Sequence, residues 1–326
     1  MEEPSIDSYP EASISPPRRE DGGEVTVRCP GTIANLVCGF DVLGLCLKEP
    51  YDVMHVKLLD EKKVVINPTK EYDLPTAPEN NTAGAPLLEM MQEIDENIGF
   101  EITIEKNIKP GSGVGSSAAS AAGAVVAANY LIGNRFSKQD LVRFAMFGEK
   151  VASGVKHADN IAPCIYGGVT LIRSIFPLDI ISIPVPPMYV ALVHPQIEVR
   201  TADARQILRK EVLLKDAIRQ WGNIAGLVAG FMQNDYGLIG RSLEDVIIEP
   251  VRSILIPGFN DVKKLCVEAG ALGGGISGSG PSIFMLCREE ATAKAVEIIM
   301  KGVYIKMGID HHTYVTTINP TGIVVE

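Results

Sequence analysis

The chain has 326 residues, with 30 basic side chains against 40 acidic ones, a formal charge of −10 and 46% hydrophobic content. That length suggests about two domains of roughly 100–200 residues each, and the composition is that of an ordinary soluble globular protein. The acidic balance argues against nucleic-acid binding or membrane attachment, which need a basic footprint, while leaving room for a nucleotide met by backbone N–H groups and a metal ion.

Met1 to Glu20 is acidic, polar and Pro-rich and has no apolar h-region, so residues 1–23 read as a disordered tail rather than a signal peptide. Structure is expected from Glu24, with VTVRCPG as a first strand broken by Pro30 and Gly31. Ile33 to Gly44 is small and turn-prone and holds Asn35 and Asp41. Tyr51 to Leu59 alternates as a half-buried strand does, and Val64 to Ile66 is a short strand. Ala85 to Asn97 carries Leu87, Leu88, Met91 and Ile94 at helical spacing, and Phe100 to Ile104 is again a strand.

A glycine-rich loop follows, and then Ser116 to Leu131, small and apolar on nearly every face, which predicts a helix buried in a domain centre. Ser137 and Asp140 have capping-box spacing, and the helix they open carries Leu141, Phe144, Ala145, Gly148 and Ala152 on one stripe. Glu149 sits at the edge of that stripe, where a carboxylate is paired, a metal ligand or solvent-tipped. Gly167 to Ile172 is the next strand. The Pro-rich Asp179 to Pro187 marks a boundary between domains spanning 24–183 and 184–326.

The second half opens with a strand, Tyr189 to Val193, and continues through helical Asp203 to Gly240 and Val262 to Ala269. A second glycine cluster, GGGISGSGPS, leads into the strand Ile283 to Cys287, then a helix from Glu290 to Met300 and a strand near Tyr314 to Ile318. This order is consistent with a split β-α-β sandwich. Six cysteines form no C-x-x-C pair and have no histidine at metal-site spacing, so reduced structural thiols are expected rather than zinc. The weakly polar run Ala118 to Ile132 is too short to cross a bilayer, and a cytoplasmic location is expected.

The loop Gly111 to Ser120, GSGVGSSAAS, is the segment richest in chemistry. Its glycines permit positive φ and close approach by a ligand, and the helix start behind it offers unpaired N–H groups and the positive end of a dipole. That combination cradles phosphate. No lysine follows the glycines, so it is not a Walker A loop. Gly113 to Ala118 fits the dinucleotide fingerprint, but the preceding strand ends at Ile104 and no strand ending in an acid follows about 20 residues on. The protein-kinase signatures are absent as well.

PGSGVGSSAAS, from Pro110, is similar to the P-x-x-x-G-[LIV]-G-S-S-A-[AS] signature of the GHMP small-molecule kinases, with Val114 where Leu is commonest and Pro110 one residue nearer the glycines. Two further family motifs are matched, by Pro30 to Leu36 (PGTIANL) and by GGGISGSGPS, in family order and spanning essentially Val25 to the C-terminus. Between them, CPGTIANLVCGFDVLGLCLKEPYD, HADNIAPCIYGG, VRTADARQIL and EPVRSILIPGF resemble elements of the homoserine kinase branch. The resemblance implies an α+β, two-domain GHMP kinase fold, with an N-terminal ribosomal-protein-S5-like β-α domain and a C-terminal ferredoxin-like α/β sandwich. It also implies ATP and L-homoserine as substrates, Mg²⁺ as cofactor, a place in threonine biosynthesis and a homodimer.

On that resemblance the nucleotide is met by Pro110, Gly111, Ser112, Gly113, Val114, Gly115, Ser116 and Ser117, with Asn81 and Lys106 on the adenine side, and the metal by Ser117 and Glu149. Homoserine is a small zwitterion, so its carboxylate suits Arg205 and Arg252 through bidentate hydrogen bonds, and its ammonium suits Asp41 and Asp159. His157, Asn160 and Gly278 complete the substrate pocket. Asn35, Asn160 and Thr201 stand by the reacting groups, and direct attack by the hydroxyl without a strong enzymic base is expected. Two alternatives remain open at this point: another GHMP substrate of mevalonate or sugar type, or a non-catalytic sensor on the same fold.

Overall fold

The computed structural model describes residues 23–326. The tail expected over 1–23 therefore lies outside the described residues except for Gly23. The first strand, β1 (Glu24–Ala34), is not broken at Pro30 and Gly31 as the sequence suggested. It runs on to Ala34 against the long antiparallel β2 (Leu43–Leu59), and the register shifts between Pro30 and Thr32 instead. A proline cannot donate to the ladder, and an irregularity at that point lets the strand continue past it.

After β3 (Val64–Ile66), α1 (Gly84–Met90) and a single 3-10 turn replace the longer helix expected to Asn97. Ile94 turns extended to bury its side chain, and Asn97 ties the segment to the β2–β3 turn through Asp60 and Lys62. Next come β4 (Gly99–Glu105), α2 (Ser116–Leu131), α3 (Lys138–Ser153), α4 (Ile161–Tyr166), β5 (Val169–Ile175) and β6 (Leu178–Ile183). Helix α2 has the bounds read from sequence and is buried almost all round. A Cβ at its Gly123 would fall 2.3 Å from Cys29 Sγ, so glycine is what lets the helix lie on β1. The α3 capping box forms in both directions between Ser137 and Asp140.

The C-terminal half comprises β7 (Tyr189–Pro195), α5 (Thr201–Gln206), α6 (Leu214–Gln233), α7 (Tyr236–Ser242), α8 (Glu249–Arg252), α9 (Phe259–Glu268), β8 (Gly273–Ile276), β9 (Ile283–Cys287), α10 (Glu290–Met307), β10 (His311–Thr317) and β11 (Val324–Val325). Its sheet has the order β10-β7-β9-β8 with every pair antiparallel, which is the split β-α-β arrangement. Strand β8 was hidden in the glycine cluster. It needs those glycines, since a Cβ at Gly274 would fall 2.0 Å from Phe284 O.

Side chains alternate across this sheet with the period of two that strands impose. Val190, Leu192, Phe284 and Leu286 join the core that α2 and the N-terminal sheet share, whereas Ala191, Val193, Ile283 and Met285 join a second core under α9 and α10. The N-terminal sheet holds β1 to β6, and the last strand, β11, crosses back to pair with β1 at Val27 and Arg28. The two halves are thus joined by a common core and by the chain's own end, and a cleft opens at their seam.

Candidate active site

Three separated glycine-bearing segments meet at one point. In the loop before α2, Gly111, Gly113 and Gly115 all have left-handed backbone, φ 76°, 82° and 66°. A Cβ at Gly113 would fall 2.6 Å from Gly280 O and 2.7 Å from Ser277 O, and one at Gly115 would fall 2.0 Å from Thr32 Oγ1. Gly111 faces open space. The C-terminal cluster braces the loop, because Ser277 Oγ donates to Gly113 O at 2.7 Å and Ser282 Oγ to Ser112 O at 2.7 Å. The N-terminal segment holds it from the other side through Thr32 N and Val114 O at 3.2 Å.

The loop borders a cleft of about 300 Å³. Pro110, Gly111, Gly113, Gly115, Ser116 and Ser117 line it, but the side chains of Ser112 and Val114 turn away to the back of the loop. Ser117 Oγ donates to Glu149 Oε1 at 2.6 Å. Glu149 is buried, and burial raises its carboxyl above the ordinary range while the Ser117 bond pulls the other way. No group of three or more His, Cys, Asp or Glu able to hold a metal exists among the described residues. One hydroxyl and one buried carboxylate without a cationic partner fit Mg²⁺, which keeps waters and takes phosphate oxygens to fill its shell.

The two residues expected on the adenine side each spend polar groups on the fold. Asn81 does not reach the cleft. Its Nδ2 donates to Pro75 O and its Oδ1 accepts from the amides of Ala83 and Gly84, so it fastens the start of α1. Lys106 lines the cleft beside Ser116 and Ser120, with its ammonium bonded to Asp52 at 2.5 Å, Ser116 O at 3.0 Å and Ser120 Oγ at 3.1 Å. With its side chain 1% exposed, it anchors the first turn of α2 rather than offering a free cation.

The opposite half of the cleft is made of charges. Asp41 follows a turn with positive φ at Asn35, Leu36 and Val37, and it is itself at φ 60°. Such backbone is costly for a β-branched residue and persists only where surroundings enforce it. Asn35 does so, accepting from Asp41 N at 3.0 Å and donating to Gly278 O at 2.9 Å, and Gln220 donates to Cys38 O at 2.8 Å.

Arg205 Nη2 contacts both oxygens of Asp41, at 2.9 and 3.1 Å, and His157 Nδ1 lies 3.7 Å from the same carboxylate. Arg252 is buried, with Nε on Ala204 O and Nη1 on Gly278 O, and both guanidinium groups lie over the Phe40 ring. Burial first, then the Arg205 charge, brings Arg252 down to about 10, so it stays cationic at neutral pH. Burial, with the neighbouring charges of Asp41 and Glu149, pushes Asp159 up to about 7. Burial also lowers His157 against the pull of Asp41.

Asn160 Oδ1 accepts from Thr32 Oγ1 at 2.8 Å, and Thr201 Oγ1 lies 3.2 Å from Ser279 Oγ. A phosphate cradle with a metal-fitting pair on one wall therefore faces two arginines and two aspartates on the other.

The chain matches the GHMP kinase N-terminal domain over residues 81–168 and the GHMP kinase C-terminal domain over residues 227–306. It is 48% identical over 291 residues to the homoserine kinase of Chloroherpeton thalassium, covering 84% of this chain and 91% of that protein. It is 47% identical over 285 residues to that of Chlorobium phaeobacteroides, covering 83% and 89%. A crystal structure of homoserine kinase from Cytophaga hutchinsonii superposes with a TM-score of 0.89 at 44% identity, over 98% of this chain and all of that one.

The chain belongs to the GHMP kinases. It is an ATP-dependent kinase that acts on a hydroxyl group. The three distant motifs meet in space, and the first and third clamp the second as well as lining the cleft. Thr32, Ser277, Ser279 and Ser282 were not singled out from sequence, although each lies inside a motif. Their partners are distant in the chain, as with Thr32 and Asn160, 128 positions apart. Phe40, Leu74 and Thr82 also line the cleft, and only the G-F-D string pointed toward one of them.

Proposed function

We propose that this kinase transfers the γ-phosphate of ATP to the side-chain hydroxyl of L-homoserine, giving O-phospho-L-homoserine. The observation that carries the reading is the pairing of Asp41 with Arg205 in the cleft, beside Arg252 and Asp159. An amino acid brings one carboxylate and one ammonium, which match these groups with opposite sign, whereas mevalonate or a sugar has no ammonium to meet two aspartates. The known activity of the relatives supports the same substrate.

The loop amides and the start of α2 bind the phosphates, and Ser117 with Glu149 would hold Mg²⁺, which supplies positive charge to the phosphate oxygens. Asn35 acts indirectly, because both ends of its amide are spent on Asp41 and Gly278. Asn160 gives its oxygen to Thr32 and keeps its NH₂ for the ligand. With Arg205 and Arg252 holding the carboxylate and the aspartates the ammonium, the hydroxyl is positioned for direct attack, and positioning with electrostatics does most of the work of phosphoryl transfer. ADP release should depend on homoserine and not on mevalonate, galactose or serine. ADP production with mevalonate, or none with homoserine, overturns the reading.

Six free, buried cysteines support a reducing compartment, the cytoplasm. A second copy is the expected partner. On α6, Leu214, Ile218, Trp221 and Met232 are 57–67% exposed, and with Ala225 and Val228 they form a seam alternating steps of four and three. Gln220 to Asn234 contains no charge. Such a seam fits another helix, and a two-fold axis supplies the identical one.

A further inference from the structure

The phosphate loop is a partition with two faces. Gly111, Gly113 and Gly115 line the catalytic cleft, while the intervening Ser112 and Val114 line a separate cavity of about 410 Å³ behind it. The two spaces share no lining residue. The rear cavity is walled by Tyr72, Lys109, His194, His312 and Tyr314, and no carboxylate lines it, although the protein as a whole carries −10. His194 and His312 are direct register partners on β7 and β10, so their side chains share one face.

A chain of hydrogen bonds fixes which way the buried imidazole points its proton. Lys109 Nζ can only donate, and it donates to Gln196 Oε1 at 2.7 Å, which settles the orientation of that amide. Gln196 Nε2 must then donate to His194 Nδ1, 3.1 Å away. Neutral His194 therefore carries its hydrogen on Nε2, which has no protein partner among the described residues. His194 is 5% exposed. That N–H, an ammonium, a second imidazole and two phenols give the cavity hydrogen-bond donors and no carboxylate, a lining suited to an anion.

We propose that this rear cavity binds a small organic anion, its carboxylate or phosphate accepting from His194 Nε2 and facing Lys109 and His312, with its body against Tyr72 and Tyr314. Burial, Lys109 and His312 together hold His194 down to about 4, and an anion bound there relieves the last two causes. The occupant would rest on the back of the loop that binds ATP, so the two ligands are expected to influence each other's affinity.

The test is ¹⁵N-histidine NMR on the full-length protein, with ADP and Mg²⁺ present to fill the front cleft and with inorganic phosphate or malonate titrated as probes. The His194 and His312 resonances should move saturably with one or both probes, and which probe binds tighter tells phosphate from carboxylate recognition. Lys109 and His312 are exposed, so Lys109→Ala/His312→Ala leaves the cores intact and should weaken binding by about tenfold or more. Gln196→Leu frees the His194 tautomer and should weaken it independently. Absence of a saturable shift up to tens of millimolar of both probes overturns the proposal, as do equal affinities in the wild-type protein and the double variant.

Discussion

The two walls of the catalytic cleft are made of different material. The nucleotide wall is backbone: three left-handed glycines, a helix start and carbonyls pinned by Ser277 and Ser282, with Ser117 and Glu149 as its metal-fitting side chains. The wall proposed for the amino acid is side chains: Asp41 bonded to Arg205 with His157 beside it, and Asp159 and Arg252 within reach of their charges. A backbone wall is fixed by the fold and serves any ATP-using relative. A wall of ion pairs can be rewritten residue by residue, which is where a family that shares one phosphate loop changes its substrate.

The separation can be broken most forcefully at Glu149. Glu149→Gln keeps the shape and the Ser117 contact but removes the carboxylate bonded to that hydroxyl. It should lower kcat by about 10³-fold, in line with the several kcal/mol a bound metal contributes to charge stabilisation. Steady-state kinetics over a range of Mg²⁺ concentrations measures this, and a loss below about tenfold would remove Glu149 from the metal site. On the opposite wall, Arg205→Ala should raise the homoserine KM by roughly 10–100-fold, the worth of hydrogen bonds to a charged group, and leave the ATP KM nearly unchanged. Equal loss on both substrates would mean the two walls are not independent.

The same division governs what could be read from sequence. The backbone wall was legible because glycine at fixed spacing before an all-apolar helix has a direct conformational meaning, and α2 begins and ends where that pattern says. The side-chain wall was legible only through resemblance, since nothing local in G-F-D or T-A-D-A-R says that Asp41 and Arg205 meet across 164 positions. The tethers of Asn81 and Lys106 are invisible in the sequence for a related reason. A polar side chain near a motif looks available in sequence, and only packing reveals that its hydrogen bonds are already spent on Pro75, Asp52 and the turns of α1 and α2. The strand in GGGI was missed because low β-propensity concealed a steric need for glycine beside β9.

Asp159 sharpens the comparison through pH. Its folded-state pKa is raised to about 7, so the ligand-free fold favours the protonated acid. Stability from this group is present at low pH and is lost as pH rises through about 7. An ammonium prefers the ionised form, so homoserine binding should strengthen over the same interval. The kcat/KM for homoserine should therefore rise with pH through a group near 7 in the free enzyme, and the thermal shift given by saturating homoserine should grow in parallel. Asp159→Asn should flatten both profiles, while the ATP KM keeps its own pH dependence. A homoserine profile unchanged by that substitution would assign the titration elsewhere.

The smallest expected effect separates the two reasons for glycine within the backbone wall itself. At Gly113 a methyl group meets Gly280 O and Ser277 O, both backbone atoms that cannot yield, so Gly113→Ala must displace the loop from its C-terminal brace. At Gly111 nothing lies within 4 Å, and Gly111→Ala faces only the cost of a left-handed φ, about 1–2 kcal/mol. Urea denaturation should therefore find Gly113→Ala more destabilised than Gly111→Ala, and because both positions carry the same backbone strain the difference reports the clash alone. If Gly111→Ala nevertheless loses ATP affinity while keeping its homoserine KM, the open space beside that glycine belongs to the phosphates. If both variants lose stability equally, the brace from Ser277 and Gly280 contributes nothing, and the clamping role given to the third motif falls.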